Sequence, residues 1–374
     1  MIDIVPVRTK RERDRFIRLP GRLYRDDPSW VEPLHLDRRQ FLDPKHNPFF
    51  THAEVAFFLA VRDGRDVGRI SAQLDALTPP AEGRRVGMFG MIAFEEDAEV
   101  AGALLSAAEG WLRARGVEVV RGPFDLGPNQ ECGLLVEGFD TAPFVLTLHN
   151  PPHVGPAIEA AGYAKARDLL SYRVETGERL PDGPRRLVAK SDPSIAIRSL
   201  DTRRYAEEIR SVAEIFNAAW AENWGFVPLT EAEIAGLVRD FKPIIDPGLV
   251  KIAEIDGRPV GFIVLIPDLN EAIRDLGGRL FPFGVLKLLW RLKTNRIRGS
   301  RVPLMGIRPQ VADTMAGKIL AYQLIYALEE RYKERGFRVL ELGWLLEDNR
   351  GVRRVVESMG AAVAKVHRIY ERAL

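Results

Sequence analysis

Residues 55–72 read VAFFLAVRDGRDVGRISA, and residues 249–266 read LVKIAEIDGRPVGFIVLI. Each is a pair of apolar, β-branched runs around an Asp-Gly pair, the strongest short-range signal for a tight hairpin. The same elements follow both. A strand comes next, over 86–94 and 302–307, then an amphipathic helix that ends in Arg-Gly. The first helix is expected over 99–115, with Val100, Leu104, Leu105, Ala108, Trp111 and Leu112 on one face. The second is expected over 315–335, with Ile319, Leu320, Leu324, Leu328 and Tyr332 at comparable spacing. A further strand follows each helix, over 117–120 and 337–342. Both halves close on a short helix ending in Gly and a strand whose Tyr lies ten residues on: Gly162 with Tyr172, Gly360 with Tyr370. Shared order with shared spacing points to an internal duplication.

The chain's 374 residues suit two domains with a core each. The expected division is 1–175 and 195–374, joined over 176–194 by TGERLPDGPRRLVAKSDPS, which lacks apolar periodicity. A net charge of +2 argues against a dedicated nucleic-acid binder. Cys132 is the only cysteine, so an internal disulfide and a cysteine zinc cluster are excluded. His35, His46, His52 and His153 lack metal-ligand spacing, and no metal is expected. No basic segment followed by an apolar run opens the chain, and no apolar stretch reaches the ~18 residues of a membrane span. A cytoplasmic location is the expectation.

This order of elements resembles the GCN5-related N-acetyltransferase fold, a mixed α+β architecture, present twice. Gly343-Trp344-Leu345-Leu346-Glu347-Asp348-Asn349, followed by Gly360, resembles that superfamily's C-terminal motif. The resemblance implies an acyl-CoA whose pantetheine lies along the strand at Gly306, Ile307 and Arg308. Its pyrophosphate would meet the helix start at Ala316, Gly317 and Lys318, with Asn349 nearby. Free N–H groups at a helix N-terminus attract phosphate. The superfamily's glycine-rich loop is degenerate here: Ala312-Asp313-Thr314-Met315-Ala316-Gly317 keeps only the last Gly. Asp313 is expected to cap the helix and to repel phosphate, with Lys318 and Arg308 as partial compensation. The first half carries Glu95-Glu96-Asp97 at the equivalent place, so the acyl donor is expected in the second half.

A narrower resemblance covers nearly the whole chain. Its marks include 23–31 (LYRDDPSWV), 47–50 (NPFF), 129–133 (NQECG), 149–152 (HNPP) and 222–226 (ENWGF). They are similar to a bacterial family of tandem acyltransferases that includes ceramide synthase. That resemblance implies N-acylation of a long-chain sphingoid base by acyl-CoA. A transferase for a small amine, and a non-catalytic tandem fold that binds lipid or a partner, stay open beside it.

Amide formation needs a base for the amine's proton, and a carboxylate or His near apolar surface suits that role. Glu131, at the start of an apolar run, and His149, after an expected strand over 144–148, are the base candidates. Asn129 and Tyr370 complete the catalytic set. Tyr370, or Tyr172, stands in for the superfamily's thiolate-protonating Tyr, whose place is Val356 here. Asp125, Asn150, Glu222, Asn223 and Trp224 are candidates for binding the acceptor. Alternatives stand beside each: Glu131 pairing with Arg121, Asn129 in a turn, His149 hydrogen-bonded structurally.

Residues 279–301 read RLFPFGVLKLLWRLKTNRIRGSR, with seven basic residues and no acidic one. An amphipathic helix on an anionic membrane surface is expected within an insertion over 275–301, with Phe281, Phe283, Lys287, Trp290 and Arg291 in contact. The alternative is a docked helix with a basic rim. The oligomeric state is not legible.

Overall fold

The computed structural model describes residues 1–374 except 178, 179, 181, 183, 190–192, 243 and 244, and Phe241 by its backbone alone. The chain forms two compact units. The first comprises Met1–Leu169, Ile273–Leu288 and Lys365–Leu374, and the second Leu170–Ala272 with Leu289–Ala364.

The first unit runs β1 (Ile2–Pro6), α1 (Lys10–Leu23), α2 (His35–Phe41), β2 (Ala53–Arg62), β3 (Arg65–Asp75), β4 (Val86–Phe94) and α3 (Ala98–Arg113). It continues with β5 (Val119–Gly122), β6 (Leu134–Glu137), α4 (Val154–Ala160) and β7 (Ala164–Glu175), which passes into the second unit after Leu169. The β2–β3 turn has Asp63 at φ 51° and Gly64 at φ 75°, as a tight Asp-Gly hairpin requires. Asp97 caps α3, accepting from Glu99 and Val100 N–H. The helix lays Val100, Leu104, Leu105, Ala108 and Leu112 on Ile70, Ala72, Phe89 and Phe94. A side chain at Gly68 would strike Leu104, so helix and sheet approach closely there.

The rest of the chain repeats the plan, mostly in the second unit: α5 (Arg185–Val188), β8 (Ile195–Ser199), α6 (Tyr205–Trp220), α7 (Glu231–Phe241), β9 (Val250–Ile255), β10 (Arg258–Pro267), α8 (Leu269–Ile273) and α9 (Gly284–Lys293), the first half of α9 belonging to the first unit. Then come β11 (Gly299–Ile307), α10 (Pro309–Ala312), α11 (Met315–Tyr326), α12 (Glu329–Glu334), β12 (Val339–Leu346), α13 (Arg350–Ser358) and β13 (Ala362–Ala373). Asp256 at φ 51° and Gly257 at φ 73° make the second hairpin turn in the same way.

Each unit has a parallel strand pair that parts. β4 pairs with β5 only over Val86–Met88, and β11 with β12 only over Gly299–Val302. A register break follows in both. The β3–β4 ladder slips between Arg69 and Ser71, with Met91 at φ 48°, and the β10–β11 ladder slips between Val264 and Ile266.

Three expectations change. The last strand, β13, does not close the half that encodes it: Tyr370–Ala373 pairs with Val119–Gly122 and Val366–Arg368 with β6, both in the first unit. Arg372 adds an ion pair to Glu109 at 2.9 Å. The helix expected over 315–335 is two, α11 and α12, although Leu328 stays near helical at φ −80° and buries its side chain. Residues 144–148 form no strand; Leu146 sits at φ 62° in a stretch flanked by Pro143 and Pro151. The expected linker lies partly outside the described residues. Of the rest, Leu180 is buried and Arg185 pairs with Glu329.

Candidate active site

The first unit gathers polar side chains from three loops: after α1, after β5 and before α4. Behind α1 the chain turns tightly, Asp27 N–H bonding to Tyr24 O and Trp30 N–H to Asp27 O. The Asp27 carboxylate is fixed at both ends. Oδ1 accepts from Ser29 N–H at 2.8 Å, and Oδ2 lies 2.7 Å from His149 Nε2. The first is an Asx turn, the local bond that Asp makes after a helix end. His149 is 1% exposed at its side chain, whereas Asp27 is 23% exposed and marks the opening to solvent. Burial lowers the imidazole pKa below its ordinary value, against the opposing pull of Asp27. The ring is then neutral at pH 7, with Nε2–H assigned as donor to Asp27 by its partner. That leaves the lone pair on Nδ1, which is buried and has no partner among the described residues. A buried, unpaired polar atom costs about 1–3 kcal/mol, so it calls for an explanation. The Trp30 ring lies 6.4 Å from the imidazole and meets Tyr24 edge-on at 4.8 Å.

A second polar group adjoins through Tyr24, which feels the charges of Arg69, Asp125 and Asp27. Asp125 Oδ1 accepts from Met91 N–H at 2.9 Å, at the irregularity of β4. Burial, helped by Glu131, pushes its pKa up to about 6. Arg69 donates to Phe16 O at 2.7 Å, with its guanidinium 4.8 Å above the Phe16 ring. Burial draws its pKa down to about 10.

The expected residues divide. Asp125, Glu131 and His149 lie in this region, with Asn129 half-buried on the loop after β5. Glu131 is not a free base: Arg38 Nη1 donates to it at 2.9 Å, while Arg121 pairs with Glu371 at 2.6 Å. Asn150 is a clamp, bonding Leu135 N–H at 2.8 Å and Leu135 O at 3.2 Å. Tyr370 is buried and donates to Glu159 at 3.0 Å, and Tyr172 donates to Glu357 at 2.6 Å, so both hydroxyl protons are engaged. Asp27, Trp30, Tyr24 and Arg69 carried no role in the sequence reading. A hint existed for the first three, an Asp-Pro turn flanked by aromatics straight after a helix.

In the second unit the expected donor residues keep different company. Gly306 and Ile307 lie on β11, where Trp220 Nε1 donates to Met305 O at 3.3 Å and the Trp220 and Trp344 rings meet at 5.8 Å. Arg308 is turned away from the start of α11, donating to Pro259 O at 3.0 Å with Glu214 at 3.6 Å. Thr314, not Asp313, caps α11, its Oγ1 accepting from Gly317 N–H at 3.0 Å. Gly317 is buried against the Val311 carbonyl, where any side chain would collide with backbone. Ala316 is half-buried and Lys318 exposed. Asn349 Oδ1 caps α13 through Val352 N–H at 3.2 Å. Glu222 is exposed, and Asn223 and Trp224 half-buried, in the turn after α6.

The basic insertion forms α9 and exposes its apolar side chains: Phe281 74%, Phe283 75% and Leu286 66%, with Leu289 and Trp290 half exposed. Arg296 lies 4.2 Å over the Trp290 ring, Lys287 pairs with Asp275, and Arg291 donates to Ala272 O. Arg301, the last cation of the run, is instead buried and bonds Gly343 O at 2.9 Å. Within the first unit the insertion grips the loop of Asp27. Arg274 donates to Pro28 O at 2.7 Å, and Gly278 O accepts from His35 N–H at 2.9 Å. Among the described residues no helix is long and apolar enough to cross a membrane.

No family model matches the sequence. The chain is 47% identical to "Bacterial ceramide synthase" of Caulobacter vibrioides, covering 100% of this chain and 98% of that one. It is 42% identical to "Protein YghO" of Escherichia coli, over 98% and 94% of the two. Among solved structures it is similar to a tandem GNAT protein from the clavulanic acid biosynthesis pathway, with TM-score 0.58 at 12% identity over 100% and 98% of the two chains. A GCN5-related N-acetyltransferase from Sphaerobacter thermophilus matches with TM-score 0.54 at 13% identity, over 100% and 95%. With near-half identity along its whole length, and with the tandem GCN5-related fold, the chain belongs to the bacterial ceramide synthase family of acyltransferases.

Proposed function

We propose that the protein is an acyl-CoA-dependent N-acyltransferase whose acceptor is a long-chain amine, with a sphingoid base as the specific candidate and a ceramide-type amide as product. The observation that carries the reading is the Asp27–His149 pair with its bare, buried Nδ1. An amine enters as its ammonium form. His149 Nδ1 accepts one proton, and Asp27 stabilises the imidazolium and holds the ring in place. The freed nitrogen attacks the thioester carbonyl and the C–N bond forms; as the C–S bond breaks, the nitrogen gives up its second proton to the leaving thiolate, and His149 later releases the first to solvent. The diphosphate of the acyl donor belongs at the start of α11, where no acidic residue sits in the first turn and exposed Lys318 supplies a cation.

Delivery of a lipid acceptor fits the insertion. Phe281, Phe283 and Trp290 present apolar surface amid Lys287 and Arg291, the pattern of a segment that lies in an anionic bilayer surface, here on the cytoplasmic side. Within the first unit, the bond of Arg274 to Pro28 O ties the part of the insertion that carries Phe281 and Phe283 to the loop of Asp27. Incubation with sphinganine and palmitoyl-CoA, read by mass spectrometry, tests the activity: an amide is expected, and its absence refutes the reading. Flotation with vesicles of phosphatidylglycerol and phosphatidylethanolamine tests the membrane claim. The wild type should float and Phe281→Asp/Phe283→Asp should not; equal behaviour refutes it.

A further inference from the structure

Beside His149 Nδ1, the buried polar atoms without a partner among the described residues include Trp30 Nε1, Tyr24 Oη and Arg69 Nε. They form one neighbourhood. Tyr24 touches Trp30 edge-on, Trp30 faces His149, and Tyr24 lies within electrostatic reach of Arg69. The group opens to solvent at Asp27 and at the half-buried Trp30.

The inventory is unequal. Neutral His149 offers one acceptor at Nδ1, while the indole N–H and the guanidinium Nε–H can only donate and the phenol O–H adds a third donor that can also accept. An amine supplies the hydrogen that Nδ1 lacks, but it has no lone pair to spare for three donors once it is an ammonium. Oxygen does. We infer that Trp30, Tyr24 and Arg69 read an oxygen on a carbon adjacent to the amine-bearing carbon of the acceptor, a hydroxyl or a carbonyl. This deepens the proposed acyl transfer and rests on it. A site with buried donors rejects an analogue that cannot pair them far more strongly than it rejects a missing methylene. The headgroup therefore decides which long-chain amines are acylated, whatever the length of the chain.

The test compares two acceptors on the full chain with palmitoyl-CoA in mixed micelles: sphinganine, and octadecylamine, which has the chain and the amine but no oxygen. The wild type should favour sphinganine in kcat/KM by about 10²-fold or more. Trp30→Phe keeps an aromatic ring and removes only the N–H, and it should cut that preference about tenfold; Tyr24→Phe should do the same. The two variants guard against misfolding of either one, since a folded partner remains to be read. Equal use of both acceptors by the wild type sinks the inference and leaves the transferase reading intact. So does a preference unchanged in both variants. No amide from either acceptor removes the transferase reading and this inference with it.

Discussion

The two units repeat one frame and fill its opening differently. In the first, the parted β4 and β5 are overlaid by a loop that brings Asp125 to the Met91 N–H, and Arg69, Arg38 and Glu131 gather around it. In the second, the same parting of β11 and β12 holds the Trp220–Trp344 pair, with the indole of Trp220 on Met305 O. The helices that follow differ as sharply. α3 starts among Glu95, Asp97 and Glu99, all engaged by Arg22, Arg62 or Arg65, whereas α11 starts at Thr314, which caps Gly317 N–H, with no acidic residue in its first turn. Carboxylates already paired at α3 leave nothing there for a diphosphate. Under the proposed function, one backbone plan carries divided chemistry, with proton handling in one unit and donor binding in the other.

The largest expected effect breaks the first half of that contrast. His149→Gln keeps a polar side chain of similar reach but removes the base, and kcat/KM for the amine should fall about 10²- to 10⁴-fold. Binding of palmitoyl-CoA, followed by calorimetry, should be unchanged. A full rate in H149Q would move proton transfer elsewhere. Gly317→Val addresses the second half. A side chain there meets the Val311 carbonyl, so α10 must shift and the start of α11 with it. KM for acyl-CoA should rise about tenfold or more, by analogy with overpacking costs of about 1–3 kcal/mol. The acceptor preference should stay as in the wild type, and an unchanged KM would remove the diphosphate from α11.

Asp27→Asn sharpens the role of the pair through pH. Burial depresses the His149 pKa, while Asp27 raises it; Lys365 is the other charge that bears on the ring, and it lowers it. Activity of the wild type should therefore climb with pH to a plateau, with a midpoint below the ordinary His value of 6.5. D27N removes the raising partner, so the midpoint should move further down while the plateau rate falls about tenfold or more. A midpoint that does not move would make Asp27 a structural turn residue only.

Local signals carried the fold well. Asp63-Gly64 and Asp256-Gly257 specify their hairpins within four residues, and the apolar face of α3 is written in consecutive turns. The destination of β13 is not local: Tyr370 pairs with Gly122, far away in the chain, and nothing in 362–373 distinguishes one sheet edge from another. The site shows the same limit. His149 stood out by its residue type, but Asp27, which gives it a role, is remote in sequence. Strand β3 shows the same limit in a physical way. Arg69, Ser71, Gln73 and Asp75 alternate with Ile70, Ala72 and Leu74, the pattern of a strand with one wet face. Here the polar face is covered, and Ser71, Gln73 and Asp75 are buried. Burying polar groups costs stability, and a one-sided alternation rule has no term for a site that bears that cost.

The smallest effect concerns Asp125, and it separates a charged centre from a neutral one. Its folded-state pKa is raised to about 6 from an ordinary 3.8, first by burial and then by Glu131, against Arg69 and Arg38. A raised acid contributes stability that is fully present below the unfolded value and is lost as pH rises through the folded value. The wild type should therefore lose stability between about pH 4 and pH 7 through this group, by an amount on the order of 1–3 kcal/mol. Asp125→Asn cannot ionise, yet its side-chain oxygen still accepts the Met91 N–H. Denaturant melts at pH 5 and pH 8 should show the variant gaining on the wild type as pH rises. A constant difference would mean that Arg69 and Arg38 hold Asp125 ionised throughout. The polar centre of the first unit would then be a closed ion network, as engaged as the acidic start of α3, and the Asp27–His149 pair would be left as the only proton acceptor that distinguishes this unit from its twin.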